Sequence, residues 1–157
     1  MLRTPIGLVF ALFVLGCGPS DRPLPRVDRG PSPDPGRDPL GAAMHADLVD
    51  HGGQMETYET PVRGRLQDDG SAERSIILPA GYCYAVFARV DGSAGELSMR
   101  LVDSNGDPRQ LDRETGAAAR IGMNEPLCPE PTTEFRVELR AEHPGAFVVQ
   151  VLRASMI

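Results

Sequence analysis

Three stretches of this 157-residue chain have residue types and spacings that could do chemistry. Asp103-Ser104-Asn105-Gly106-Asp107 puts oxygen ligands at alternate positions of a tight loop, an arrangement that suits a hard cation such as calcium. An EF-hand loop needs glycine at its sixth place and a bidentate glutamate at its twelfth; counted from Asp103 the glycine is fourth and the twelfth residue is Glu114. Asn105-Gly106 is also the strongest hairpin dipeptide, because both residues tolerate φ > 0. Asp103, Asn105 and Asp107 are therefore candidate ligands within what reads first as a turn. His45-Ala46-Asp47-Leu48-Val49-Asp50-His51 gathers two imidazoles and two carboxylates, and on a helix Asp47 and His51 share a face at zinc-ligand spacing. A third strong ligand is missing nearby, so these read as solvated polar residues. Gly92-Ser93-Ala94-Gly95 is not a nucleophile elbow and falls between strands, as does His143, while Asp68-Asp69 are adjacent and read as solvated loop carboxylates. No phosphate loop, dinucleotide fingerprint or H-E-x-x-H motif is present. No catalytic residue and no bound cofactor is expected, and the chain does not read as an enzyme.

The cysteines are Cys17, Cys83 and Cys128. Ahead of the first stands Arg3 and then a ten-residue apolar run, Ile6 to Leu15. A run of that length is too short to span a bilayer, which takes about 20 residues, but fits the core of an export signal. Val14-Leu15-Gly16-Cys17 resembles the bacterial lipobox: an aliphatic residue, then a small one, then the cysteine. The resemblance implies that residues 1–16 are a signal peptide, that Cys17 becomes the first residue and carries a covalent diacylglycerol, and that two or three acyl chains anchor the protein to a membrane. Gly18 in the next position, by resemblance to enterobacterial sorting, favours the outer membrane. An ordinary secretory signal with a cysteine near its end is the alternative. With Cys17 committed to lipid and the chain exported, Cys83 and Cys128 are expected to be bonded to each other, in a compartment where disulfides persist; two separate buried thiols are the alternative.

These groups must be carried by something. Residues 17–40 form a spacer: seven of the fifteen prolines fall between Gly18 and Leu40, interleaved with Asp and Arg, which leaves little to bury. Extended at about 3.1 Å per residue it would reach ~70 Å. Residues 41–55 are a transition with room for a short helix, Met44 and Leu48 on one face and Gly52-Gly53 at its end. Residues 56–157 have period-two patterning with turn signals every eight to twelve residues, which makes the fold class all-β: an antiparallel, jelly-roll-like sandwich of about eight strands. Expected strands are 61–67, 73–78, 82–90, 96–103, 109–113, 118–123, 126–129, 134–141 and 146–153. Tyr82 to Val90 is apolar on both faces and belongs in the middle. Phe135, Val137, Leu139 and Ala141 alternate with charges, and His143-Pro144-Gly145 is expected to turn that strand into a terminal hairpin with Phe147, Val149 and Val151.

Ile76-Ile77-Leu78-Pro79-Ala80-Gly81-Tyr82-Cys83-Tyr84, followed by Gly95 to Gly106, resembles the bacterial pre-peptidase C-terminal domain and related sandwiches of secreted proteins. The likeness covers roughly Arg63 to Arg153 and implies a β-sandwich accessory module with no catalysis of its own. Glu96 and Ser98 stand where that family has Asp, so any polar or calcium role of those positions does not carry over.

All sixteen basic residues are Arg, and the formal charge is -6, or -7 without Arg3, with no later block of basic residues. Nucleic acid and anionic lipid headgroups, which need clustered positive charge, are not expected as partners. The remaining expectation is a cell-envelope interaction or structural module for a protein or polysaccharide, or else a calcium- or small-ligand-binding one. Tryptophan is absent, so a sugar-stacking platform would have to use Tyr58, Tyr82 and Tyr84.

Overall fold

The computed structural model describes residues 27–112 and 115–156. One helix, α1 (Pro39–His51), precedes nine strands: β1 (Glu56–Thr57), β2 (Val62–Arg65), β3 (Ser71–Leu78), β4 (Tyr82–Val90), β5 (Leu97–Asp103), β6 (Pro108–Leu111), β7 (Ala118–Ile121), β8 (Thr133–Ala141) and β9 (Ala146–Ser155). All pairings are antiparallel, in two sheets. The first runs β1-β9-β4-β7, with β2 also on β9, and the second runs β3-β8-β5-β6. This is the all-β sandwich the periodicity calls for.

The main core lies between the sheets. Tyr84, Val86, Ala88 and Val90 of β4 and Phe147, Val149 and Val151 of β9 face Ile76, Leu78, Leu97, Met99, Leu101, Phe135, Val137 and Leu139 of the second sheet. A second, smaller cluster lies on the other face of the first sheet, where Met44 and Leu48 of α1 cover Ala85, Phe87, Val148 and Leu152. That layer is why β4 and β9 are apolar on both faces: each is sandwiched between a sheet and a helix. Gln150, buried among them, donates through Nε2 to the carbonyls of Glu59 (2.6 Å) and Val151 (2.9 Å).

The expected terminal hairpin does not form. β8 pairs with β3 and β5, while β9 pairs with β1, β2 and β4, so the turn at His143-Pro144-Gly145 carries the chain from one sheet to the other. The outer faces explain the choice. β8 turns Glu134, Arg136, Glu138 and Arg140 away from the core and needs water there, whereas β9 turns out Val148 and Leu152 and needs the helix. The expected strand at 126–129 is reduced to one bridge, Leu127 to Tyr84, because Pro126 and Pro129 have no N–H to donate. The Asn105-Gly106 turn does join β5 to β6, with a register shift between Leu101 and Val102.

Helix α1 begins ahead of the expected segment. Asp38 caps it, accepting from the Gly41 N–H at 2.9 Å, and Pro39 takes the first helical position, where its missing N–H costs nothing. Residues 27–38, read from sequence as part of an extended spacer, lie against the helix: Arg29 donates to the carbonyl of Gly53, and Arg63 of β2 holds Asp38 through two hydrogen bonds of 2.8 and 2.7 Å.

Candidate functional site

Helix α1 covers the outside of the first sheet, and among the described residues no element covers the outside of the second. Its side chains form a charged ladder across three strands. Glu138 on β8 is bonded by Arg100 on β5 and, at 2.8 Å, by Arg136; Arg136 in turn lies 3.7 Å from Glu73 on β3. Glu73 and Glu138 stand directly opposite each other across β3 and β8, a like-charge pair that Arg136 offsets from the diagonal. Burial raises the Glu138 carboxyl, but the guanidinium groups of Arg100 and Arg136 outweigh it and hold it below its ordinary value. A groove of about 470 Å³ crosses this face, lined by Asp69, Ser71, Ser98, Arg100, Arg140 and the exposed Leu111 among others. None of its lining residues is aromatic. The groove can hold a polar ligand by hydrogen bonds and charge, and no hydroxyl in it is set against an imidazole.

The Asp103 loop is built as a turn. Asp103 Oδ1 accepts from the N–H groups of Asn105 (2.9 Å) and Asp107 (3.0 Å), and Oδ2 from Arg109 Nε at 2.8 Å. The side chain is 6% exposed. Burial raises its pKa, and those three donors together hold it below the ordinary value. A cation would have to displace Arg109 and two backbone donors from an already satisfied carboxylate. Glu114 lies outside the described residues. Beside this loop a cleft of about 540 Å³ separates β6 from β7 and residues 122–125, and it is bridged by its own side chains: Gln110 Nε2 donates to the Glu125 carbonyl at 2.7 Å, and Asp112 Oδ1 accepts from the Arg120 N–H at 3.1 Å.

The other candidates separate. On α1, Asp47 is tied to Arg89 of β4 at 2.5 Å, which pins the helix to its sheet rather than leaving a ligand beside His51. Among the described residues no cluster of three His, Cys, Asp or Glu could hold a metal ion. Folding brings the Ser93 and His143 turns together, with the His143 N–H donating to the Ala94 carbonyl. The Ser93 hydroxyl, however, donates to Asp91, whose other oxygen takes the Ala146 N–H, so this carboxylate orders a turn and does not orient an imidazole. Asp69 plays the same part for Ser71. Tyr84 is fully buried, its hydroxyl donating to Pro79, and therefore cannot serve in a sugar platform. Tyr58 and Tyr82 pack around it and stack on the Arg153 guanidinium, 5.5 and 5.0 Å from the ring centres.

Cys83 and Cys128 form a disulfide, with Cα atoms 4.1 Å apart, which ties the start of β4 to the proline-rich segment before β8. Cys17 and its lipobox lie outside the described residues. Among those described, no helix is long and apolar enough to cross a membrane.

No family model matches the chain, and none of the curated proteins does. Among solved structures it is similar to the pre-peptidase C-terminal domain of a collagenase from Bacillus anthracis, at 9% identity and a TM-score of 0.46, over 59% of this chain and 87% of that one. It is also similar to the CBM22-1 and GH10 modules of a Clostridium thermocellum xylanase in complex with xylohexaose, at 13% identity and a TM-score of 0.28; there it covers 66% of its own length and 28% of the other. At that depth the architecture rests on the two sheets themselves.

Proposed function

We propose that this chain is a membrane-anchored cell-envelope lipoprotein, held through a diacylated Cys17 with the outer membrane favoured. Its sandwich is a non-catalytic interaction or structural module for an envelope protein or polysaccharide. The observation that carries the reading is the asymmetry of the two outer faces: α1 covers the centre of one, over β4 and β9, while the other, among the described residues, is uncovered, charged and grooved. The disulfide fits an oxidising compartment. The Ser93 hydroxyl and the carboxylates of Asp91 and Asp103 are bonded into turns, and Glu138 into the ladder.

Intact mass of the membrane-extracted protein tests the anchor; a mature chain starting at Cys17 with added acyl mass is expected, and one without lipid sinks that half. Sedimentation of the folded protein with purified cell-wall sacculi or envelope polysaccharide, and cross-linking on whole envelopes, test the other half. Binding that falls at least fivefold in Arg100→Ala and Arg140→Ala, both groove residues, supports the face named here. Binding indifferent to both variants, or no binding to any envelope fraction, refutes it.

A further inference from the structure

Residues 27–30 lie beside the far end of the helix. Val27, Asp28, Arg29 and Gly30 border a hollow of about 250 Å³ with Val49 and Gly53, at the C-terminal end of α1. There the Arg29 guanidinium donates to the Gly53 carbonyl at 3.3 Å, placing a cation where the helix dipole is negative. Gly52 makes room for it: a Cβ on Gly52 would collide with Arg29 Nη2 and with the Leu48 carbonyl oxygen. Asp28 Oδ1 takes the Gly30 N–H and Gly30 adopts φ +71°, turning the chain back. Asp34 then closes a turn by accepting the N–H groups of Arg37 and Asp38, and Asp38 caps the opposite end of the helix while Arg63 holds it by both nitrogens. A 13-residue helix is about 20 Å long, and nine residue steps from Arg29 to Asp38 cover that easily.

From this geometry we infer that residues 27–38 are a strap, fastened by Arg29 at one end of α1 and by the Asp38–Arg63 latch at the other, which shortens the tether and fixes the side from which it leaves. The point of attachment becomes the C-terminal end of α1, in the helix layer. Between Cys17 and Val27 there are ten residue steps, a reach of ~31 Å at about 3.1 Å per residue, against ~70 Å at the same rise for a spacer free as far as Leu40. Taken with the proposed lipid anchor, on which this consequence rests, the domain is held close to the bilayer with the helix layer nearest the attachment. The charged ladder then lies on the layer farthest from it.

Trypsin reads the strap without reference to the lipid, because the bonds after Arg29 and Arg37 fall inside it. In the full mature chain both should be cut at least tenfold more slowly than the same bonds in a synthetic peptide of residues 18–40, with masses identifying the new termini Gly30 and Asp38. In Arg63→Ala the cut after Arg37 should speed up severalfold while the bond after Arg29 stays protected, which also reports that the domain remains folded. Peptide-like rates at both bonds in the native chain overturn the strap whether or not Cys17 is acylated. An Arg63→Ala chain cut no faster after Arg37 than the native one overturns the latch.

Discussion

Truncating Leu48 to alanine tests whether the helix is a structural layer. Leu48 is 7% exposed and packs with Met44, Ala85, Phe87, Val148 and Leu152. Three carbons are lost, which at ~0.8 kcal/mol each removes about 2.4 kcal/mol of transfer free energy. Buried leucines range from roughly 2.7 to 5 kcal/mol once the cavity is included. This cluster is small and sits under a single helix that can settle inward, so the expected loss is near the low end, about 2.5–3 kcal/mol. The neighbouring Val49, 37% exposed, should cost less than ~0.5 kcal/mol as alanine. Both changes gain slightly in helix propensity, which narrows neither difference by more than a few tenths. Urea unfolding at constant slope should therefore show the midpoint of Leu48→Ala falling by roughly 2 M, with m near 1.3 kcal/mol/M, and that of Val49→Ala hardly moving. Equal small shifts would mean that α1 does not cover the sheet, and would leave the two-faced apolar character of β4 and β9 without an explanation.

Opening the Cys83–Cys128 bond, which closes a 46-residue loop counted from its separation of 45, should cost about 4 kcal/mol in the chain-entropy treatment; a double alanine variant melting with the native protein would refute it. Asp103 is held below its ordinary value, so the stability it contributes is complete above the unfolded carboxylate range and is lost as pH falls through the lower folded value. Asp103→Asn should accordingly melt below the native protein at pH 7, and the gap should close towards pH 3. Calcium in millimolar excess should leave the melt unchanged, since the Asp103 oxygens are engaged; a rise equivalent to ~2.7 kcal/mol, as expected at 100 times Kd, would restore the cation reading.

The layers of this fold could be read from single strands more readily than their partnership could. Phe135 to Ala141 announces one wet face, and Tyr82 to Val90 announces two dry ones, yet adjacency in the chain pointed β8 and β9 at each other. The signal that separates them was present in Val148 and Leu152: a strand dry on both sides belongs with β4 under the helix, and a strand charged on one side does not. The hydrogen bonds of the proline-rich run were hidden for a related reason. Composition reports how little a segment buries, and Arg29 and Asp38 attach residues 27–38 by hydrogen bonds and charge instead. The ladder was half visible, since Glu134, Arg136, Glu138 and Arg140 stood out on β8. Arg100 and Glu73 join it only through strand register, which no local pattern encodes.

That ladder is poorly explained as a device for stability. Exposed ion pairs contribute ~0.2–1 kcal/mol, and Glu73 opposite Glu138 subtracts from the sum. Arg100→Ala should thus lower stability by less than about 1 kcal/mol, because Arg136 still holds Glu138. Removing Arg136 as well should cost more than the two single changes added together, since Glu138, only 12% exposed, then keeps its charge with neither guanidinium partner. Denaturant unfolding of the two single variants and the double variant closes the cycle. Strict additivity would show that the pairs are independent and solvent-screened. A coupled network that adds little to the melt leaves the arrangement of charge on this sheet, uncovered among the described residues, to be accounted for by the contact proposed for that face.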